Sequence, residues 1–301
     1  MKRAPAPPTD SPRLSRSTPW GQERRLEFID CRLRWEGRLN RSDLTEFFGI
    51  SVPQASLDIS KYLELRPANA FYDKSSRVYV AGSAFEPAFP WNEPGHYLSE
   101  LLARHVGVLP EEQSFLGWCP PVGVMPIPGR VIRPEVLLGL IQAVRAGTAL
   151  RVVYQSMSSP EPQERTIAPH AFAHDGMRWH VRAYCYKRQG FRDFLFGRFI
   201  DIAPSAEAGS DGADDDAWHR TIPLVLAPHP DLSNGQKRAI ELDYGMVNGQ
   251  ARVDCRQALL FYFLRALRLL REGIETPEEQ QLTLRNRAEV AEFLPPAASR
   301  A

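Results

Sequence analysis

Between residues 151 and 200 the chain carries eight Lys/Arg against four Asp/Glu, in stretches that alternate with a period of two. Residues two apart in a strand share a face. Over 177–186 that places His180, Arg182, Tyr184 and Tyr186 on one face and Trp179, Val181, Ala183 and Cys185 on the other. Over 191–198, Arg192, Phe194, Phe196 and Arg198 share a parity, as do Leu150, Val152, Tyr154 and Ser156 over 149–156. A guanidinium offers forked N–H donors that match phosphate or carboxylate, and Tyr and Phe rings suit the face of a base. Such a face could bind an anion attached to a ring. The competing reading is a solvated sheet face whose arginines pair with neighbouring Asp or Glu. On the residues alone, both stand.

A second group lies near the start. Residues 1–41 hold ten Lys/Arg and five Asp/Glu, although the net charge of all 301 residues is only +1. Contact with nucleic acid must therefore come from local patches. The segment Ser51-Val52-Pro53-Gln54 opens a helix expected to run to about residue 65. That helix would present Gln54, Ser56, Asp58 and Lys61 outward, with Leu57, Ile59 and Leu63 partly inward. Gln can pair bidentately with adenine, and Ser can reach either base type. Ser51, at the cap, is grouped with these residues. Arg24, Arg25, Lys74 and Arg77 would hold phosphates. The rival is a small helical unit that docks protein instead.

Other chemistries find little support. The chain has no G-x-x-x-x-G-K-[ST], no G-x-G-x-x-G and no G-x-S-x-G. His170-x-x-x-His174 has helical metal spacing but falls in an expected strand and loop without a Cys partner, so no metal site is expected. Cys31, Cys119, Cys185 and Cys255 lie far apart, which fits reduced thiols in the cytoplasm. No apolar run approaches the roughly 18 residues of a membrane span. The opening residues lack the apolar core of a secretory signal. No cofactor or catalytic residue is expected. A nucleotide-processing enzyme would need a nucleophile–base pair that does not stand out.

These residues need elements to hold them. Residues 1–20, rich in Pro, Ser and Arg, read as a disordered basic tail. Helices are expected over 22–35 and 41–48, the second capped by Asn40 with Asp43 three residues on. With the helix after Ser51 they make a helix-turn-helix. Phe71-Tyr72 and Val78-Tyr79-Val80 flank a polar tip and predict a wing hairpin, completing a domain over 21–95. Residues 96–147 read as a connector, with helices over 97–105 and 134–146 around a Pro-rich extended run. Strands at 149–156, 165–172, 177–186 and 191–200 predict a mostly antiparallel sheet or partial barrel over 148–203. Residues 204–217 read as an acidic, solvated linker. Residues 218–301 predict a small α+β domain, with strands at 219–226 and 247–254, helices at 233–243 and 257–271, and a last short element near 278–294. The fold class is thus α+β, multidomain.

The string Arg178-Trp179-His180-Val181-Arg182-Ala183-Tyr184-Cys185 resembles a WYL domain, a bacterial ligand-sensing module of Sm-like β-barrel type. Phe191-Arg192-Asp193-Phe194, Gly197-Arg198-Phe199, Val153-Tyr154-Gln155-Ser156 and Ile167-Ala168-Pro169-His170 fit the same pattern. With the winged helix in front, and with Gln54-Ala55-Ser56-Leu57-Asp58-Ile59, Tyr72-Asp73-Lys74 and His229-Pro230-Asp231-Leu232, the chain resembles the BrxR/CapW-like regulators beside phage-defence operons. The resemblance covers about 22–271. It departs at the name-giving triplet, which reads Trp179-His180-Val181 and leaves the ligand's identity open. The resemblance implies a homodimeric repressor on inverted-repeat, double-stranded operator DNA. It also implies control by an anionic nucleotide or nucleic-acid-like effector in a pocket of Tyr154, Ser156, His170, His180, Arg182, Arg192 and Arg198. The C-terminal extension would dimerise or gate.

Overall fold

The computed structural model describes residues 19–89, 92–270 and 276–294. The expected tail, up to residue 18, lies outside them. The chain divides into two compact units, residues 1–126 and 127–301.

In the first unit, α1 (Pro19–Glu36) is followed by β1 (Arg38–Leu39), α2 (Arg41–Phe48), α3 (Val52–Leu65) and the hairpin β2 (Ala70–Asp73) and β3 (Val78–Ala81). The small sheet has the order β1-β3-β2. Local chemistry sets the boundaries. Asp43 closes a capping box on Asn40, Gly49 ends α2 at φ 62°, and the Ser51 hydroxyl accepts from the Gln54 N–H to start α3. Phe28, Ile29, Leu33, Leu44, Ile59 and Tyr62 form the centre of a core shared by the three helices. Under it, Tyr62 donates to Asp30 (2.5 Å) and receives from Asn69 (2.8 Å), while Asn92 donates to the same Asp30 carboxylate (2.9 Å). α4 (Pro94–His105) follows, and the chain then runs without regular structure through its Pro-rich stretch, apart from one 3-10 turn at Glu111–Gln113.

The second unit opens with α5 (Pro134–Ala146). Val136, Leu140 and Ala143 of this helix are buried in the core of the sheet that comes next. The stretch 96–147, expected as one connector, is therefore divided: α5 is part of the sheet domain because its apolar face has nowhere else to be buried. The sheet comprises β4 (Leu150–Tyr154), β5 (Gln163–His174), β6 (Trp179–Cys185), β7 (Gly190–Leu195) and β8 (Phe199–Pro204), all antiparallel, in the order β7-β6-β5-β4-β8.

The expected single strand 191–200 is two strands, broken by a 3-10 turn at Phe196–Arg198. That break shapes the sheet. Outer strands of a flat five-stranded sheet lie about 19 Å apart. Leu195 and Phe199 can be separated by at most about 14 Å even on an extended chain. The sheet must curl, and the Leu195 N–H accordingly reaches the Tyr154 hydroxyl of β4 (3.0 Å). Among the described strands no ladder joins β7 to β8, so this is a curled sheet without a closed barrel.

Residues 204–217 do not behave as a solvated linker. Asp215 is 1% exposed and caps α6 (Asp216–His219). A β-carbon on Gly212 would lie 2.2 Å from the His170 ring, so the stretch packs against the sheet. Beyond it come β9 (Thr221–Pro228), α7 (Asn234–Asp243), β10 (Ala251–Arg256), α8 (Leu260–Ala266), α9 (Pro277–Gln280) and β11 (Leu282–Leu284). These strands form a second sheet, β10-β9-β11, over a core of Ile222, Leu224, Leu260 and Leu264. The helix expected over 257–271 is shorter, a 3-10 turn at Gln257–Leu259 leading into α8. Residue 271 lies outside the described residues. The strand expected from 247 begins at Ala251, because left-handed Asn248 and Gly249 hold a turn before it.

Candidate nucleic-acid interface and anion site

The surface of α3 differs from the expected one by a single helical step. Leu57 is 64% exposed and Asp58 is fully buried. Residues 55, 58, 59 and 62 form one helical face, and here that face turns inward. A buried carboxylate must be paired, and Arg25 of α1 pairs it at 2.6 Å. Arg25 is thereby a structural partner of α3 rather than a free phosphate contact. Gln54 also donates to Asp58 (3.1 Å), and Lys61 donates to Gln22 (2.8 Å). The Ser56 hydroxyl donates to the Val52 carbonyl (3.0 Å) and accepts from Arg41 Nε (2.9 Å). Ser51 is exposed at the cap.

Arg41 is the residue the sequence reading missed. Its guanidinium also donates to the Tyr79 hydroxyl (3.0 Å) and lies 5.4 Å and 5.3 Å from the Tyr72 and Tyr79 ring centres. It ties the start of α2 to α3 and to both wing strands. Nothing in the local sequence marks it, since its partners are 15 to 38 residues away. At the wing tip, Asp73 accepts from the Ser75 and Ser76 N–H groups and from the Ser76 hydroxyl, folding the turn. Lys74 and Arg77 are exposed there, Arg77 in the left-handed region at φ 57°. Arg24 is exposed on α1, with its guanidinium 4.5 Å from the Phe115 ring centre.

The seven residues expected to line the sheet pocket do not converge. Arg182 is 8% exposed, and each of its three guanidinium nitrogens donates to a carboxylate. Nε and Nη2 fork onto Asp215 at 2.7 and 3.0 Å, and Nη1 donates to Asp193 at 3.2 Å. An anion shared between Arg182 and Arg198 would have to displace these carboxylates. The reading in which an arginine pairs with nearby acid is the one that describes Arg182. His170 is the extra residue of a β-bulge between Pro169 and Ala171, which aims its Nε2 at Asp215 (3.0 Å). His180 Nε2 bonds Asp175 (3.0 Å) with its ring 4.7 Å from that of Tyr262. The Tyr262 hydroxyl donates to Asp193 (3.2 Å), so Asp193 links Arg182 to α8.

Charge in this layer is balanced by pairing. Burial alone would raise the Asp215 carboxyl, but the Arg182 bond and charge, with His170, more than offset it and hold it below the usual carboxylate value. Asp175 is held well below that value in the same way, against burial, by bonds from His180, Arg178 and two backbone N–H groups. Burial pulls His170 below its usual value although Asp215 opposes the shift.

The other four residues are scattered. Tyr154 is buried in the apolar core against Phe194 and Phe199. Ser156 bonds Ser158 in the loop after β4, and Arg192 is exposed and donates to its neighbour's carbonyl. Arg198 sits half-buried in the turn between β7 and β8, at the edge of an open cleft, with no side-chain partner among the described residues. The His174 ring lies tilted against that of Trp179 (4.8 Å between centres). Among the described residues no cluster of His, Cys, Asp and Glu could hold a metal.

Comparison with known families matches residues 21–103 to the BrxR transcriptional regulator winged helix-turn-helix domain. Residues 135–204 match the WYL domain, and 221–290 the BrxR transcriptional regulator C-terminal dimerization domain. The chain is 46% identical over 289 residues to a protein of Escherichia coli (strain KTE188) named DNA-binding transcriptional repressor CapW, covering 95% of this chain and 96% of that one. Proteins of the same name from Pseudomonas aeruginosa (47% over 279 residues, 91% of this chain and 92% of that one) and Stenotrophomonas maltophilia (43% over 278 residues, 91% and 93%) are also similar.

Proposed function

Because the chain belongs to the BrxR/CapW family of WYL-domain transcriptional regulators, we propose that it is a homodimeric, DNA-binding transcriptional repressor. The observation that carries this is the near full-length likeness to named repressors, together with the three family domains matched along this chain. Its relatives are named as DNA-binding transcriptional repressors, which supports a regulator over an enzyme. The wing cations Lys74 and Arg77 hold phosphates, and the exposed face of α3 around Leu57 enters the major groove. The C-terminal sheet β10-β9-β11 and its helices join two copies. A two-fold dimer presents two recognition helices and so reads an inverted repeat about one or more turns apart.

The finer reading is that the protein silences a phage-defence operon in the cytoplasm until an anionic, nucleotide-like effector reaches its WYL domain. The curl of the β4–β8 sheet supports an Sm-like arrangement for that domain. The experiment is a mobility shift and footprint on DNA upstream of the gene, with light scattering in parallel. Protected half-sites in inverted repeat and a dimer mass are expected. A monomer at micromolar concentration that leaves its own promoter unprotected overturns the reading.

A further inference from the structure

We infer that the effector's phosphate and an attached planar base are received in the open cleft beside Arg198, and not at the buried Arg182. The inference rests on the effector reading above and assigns its site and chemistry. The cleft has a volume of about 570 Å³, within the roughly 300–1,000 Å³ of small-ligand sites. One wall is the segment 127–132, with Arg130 and Val131. The other is the β5–β6 hairpin end, with His174, Met177 and Trp179, closed by the turn that carries Arg198.

Charge separates this cleft from the rest of the sheet. Arg178 at its rim is tied to Asp175 (2.7 Å), and Arg182 to Asp215. Arg130 and Arg198 have no side-chain partner among the described residues, so two cations face one cleft without neutralisation. A concave surface of that kind concentrates anions. Apolar area is left to water in the same place: Trp179 is 48% exposed, Met177 62% and Val131 82%. A tilted contact with the His174 ring (4.8 Å between centres) holds the Trp179 ring at the hairpin. Cations beside an indole are the parts with which proteins hold a single-stranded nucleotide, the phosphate on the guanidinium and the base on the ring.

The position also offers a route to the DNA-binding unit. The 127–132 wall is the start of the second unit, and in sequence it follows the winged helix by way of α4 and the Pro-rich stretch. The wall is seated closely, since a β-carbon on Gly197 would come within 2.9 Å of the Val131 carbonyl. A ligand wedged between wall and hairpin meets the connector beside that contact. It shifts operator affinity to the extent that it binds one connector path better than the other.

The test uses the full-length protein and a fluorescently labelled single strand of six thymidines, read by anisotropy. Unlabelled oligonucleotide, thymidine monophosphate and tripolyphosphate serve as competitors. Saturable binding is expected, and the Arg130→Ala/Arg198→Ala double variant weakens it by about tenfold or more. Trp179→Ala weakens it while Trp179→Phe retains it, and the wing variant Lys74→Ala binds the strand like wild type. Competition by the monophosphate identifies a free nucleotide as sufficient; competition by the oligonucleotide alone identifies a strand; both support the site. Tripolyphosphate competing as well as either overturns the base-binding half. Cleft variants that keep their melting temperature and bind like wild type overturn the inference, as do variants that lose the dimer, which would make the cleft an interface. Failure of wild type to shift its promoter DNA is scored in a separate assay and counts against the repressor reading, not against the cleft.

Discussion

Asp215, carried on the acidic stretch after the five-stranded sheet, meets Arg182 of β6 in a two-pronged bridge of 2.7 and 3.0 Å from which water is nearly excluded. His170 shares the same carboxylate and Asp193 takes the third guanidinium nitrogen. The bridge belongs to the architecture of the domain, and its removal should register in stability before anything else.

Asp215→Ala is expected to cost about 3 kcal/mol, the low end of the range for breaking a buried pair, because Asp193 continues to neutralise Arg182. The apolar replacement of both partners, Arg182→Met with Asp215→Leu, should cost less than the single change. Urea unfolding of the three proteins checks this. A loss below about 1 kcal/mol for Asp215→Ala would show the bridge to be dispensable.

Acid should unfold the protein in two stages. His170 has a depressed folded value, so the unfolded chain takes up its proton first, and that part of the stability declines as pH falls below about 6.5. Asp175 and Asp215 are depressed too; their contribution is whole above about pH 4 and is lost as pH drops through their lower folded values. His170→Gln should flatten the first stage and leave the Asp175 part of the second. Melting temperature followed from pH 8 to pH 3 reads both, and an unchanged upper slope in the variant refutes the assignment to His170.

Leu57 is expected to pack on a thymine methyl in the operator. Burying one methyl is worth about 0.8 kcal/mol, or about fourfold in affinity. Replacing the contacted thymine with uracil should weaken wild type by that factor and leave Leu57→Ala indifferent. If no thymine in the half-site distinguishes the two proteins, Leu57 does not read the groove.

The wing should act without regard to sequence. Lys74→Ala, and Arg77→Asn, chosen because Asn tolerates the left-handed backbone at that position, should each lower the salt slope of operator binding by about one unit. Specific and random DNA should weaken alike. A change in base preference in either variant would move the reading element to the wing.

Much of the scaffold was legible because its signals are local. Asn40 with Asp43, Ser51 with Gln54, and the polar tip after Asp73 mark boundaries within a few residues of themselves, and the structure places them as expected. What could not be read depends on distant partners. The inward turn of Asp58 runs against the usual exposure of an acidic residue, and its charge partner, Arg25, lies 33 residues earlier. Asp215 was hidden in a run whose composition reads as linker, 33 residues from the arginine it serves. The parity argument over 191–198 failed at Phe196, where a 3-10 turn resets the alternation.

The turn at Phe196–Arg198 also sets the order in which the sheet can be completed. β4 lies between β5 and β8, and Leu150 faces Ile167 on one side and Pro204 on the other. During synthesis the first of these neighbours is available long before the second. At about 5–20 residues per second, the roughly 50 residues from β4 to the end of β8 take about 3–10 s to emerge. For that interval the Leu-Arg-Val-Val-Tyr strand presents an unpaired, largely apolar edge to whatever is nearby, the kind of edge that seeds association between nascent chains. Arg151 is the charged residue within it, exposed in the finished fold beside Glu164, and it is placed to discourage such pairing until β8 arrives.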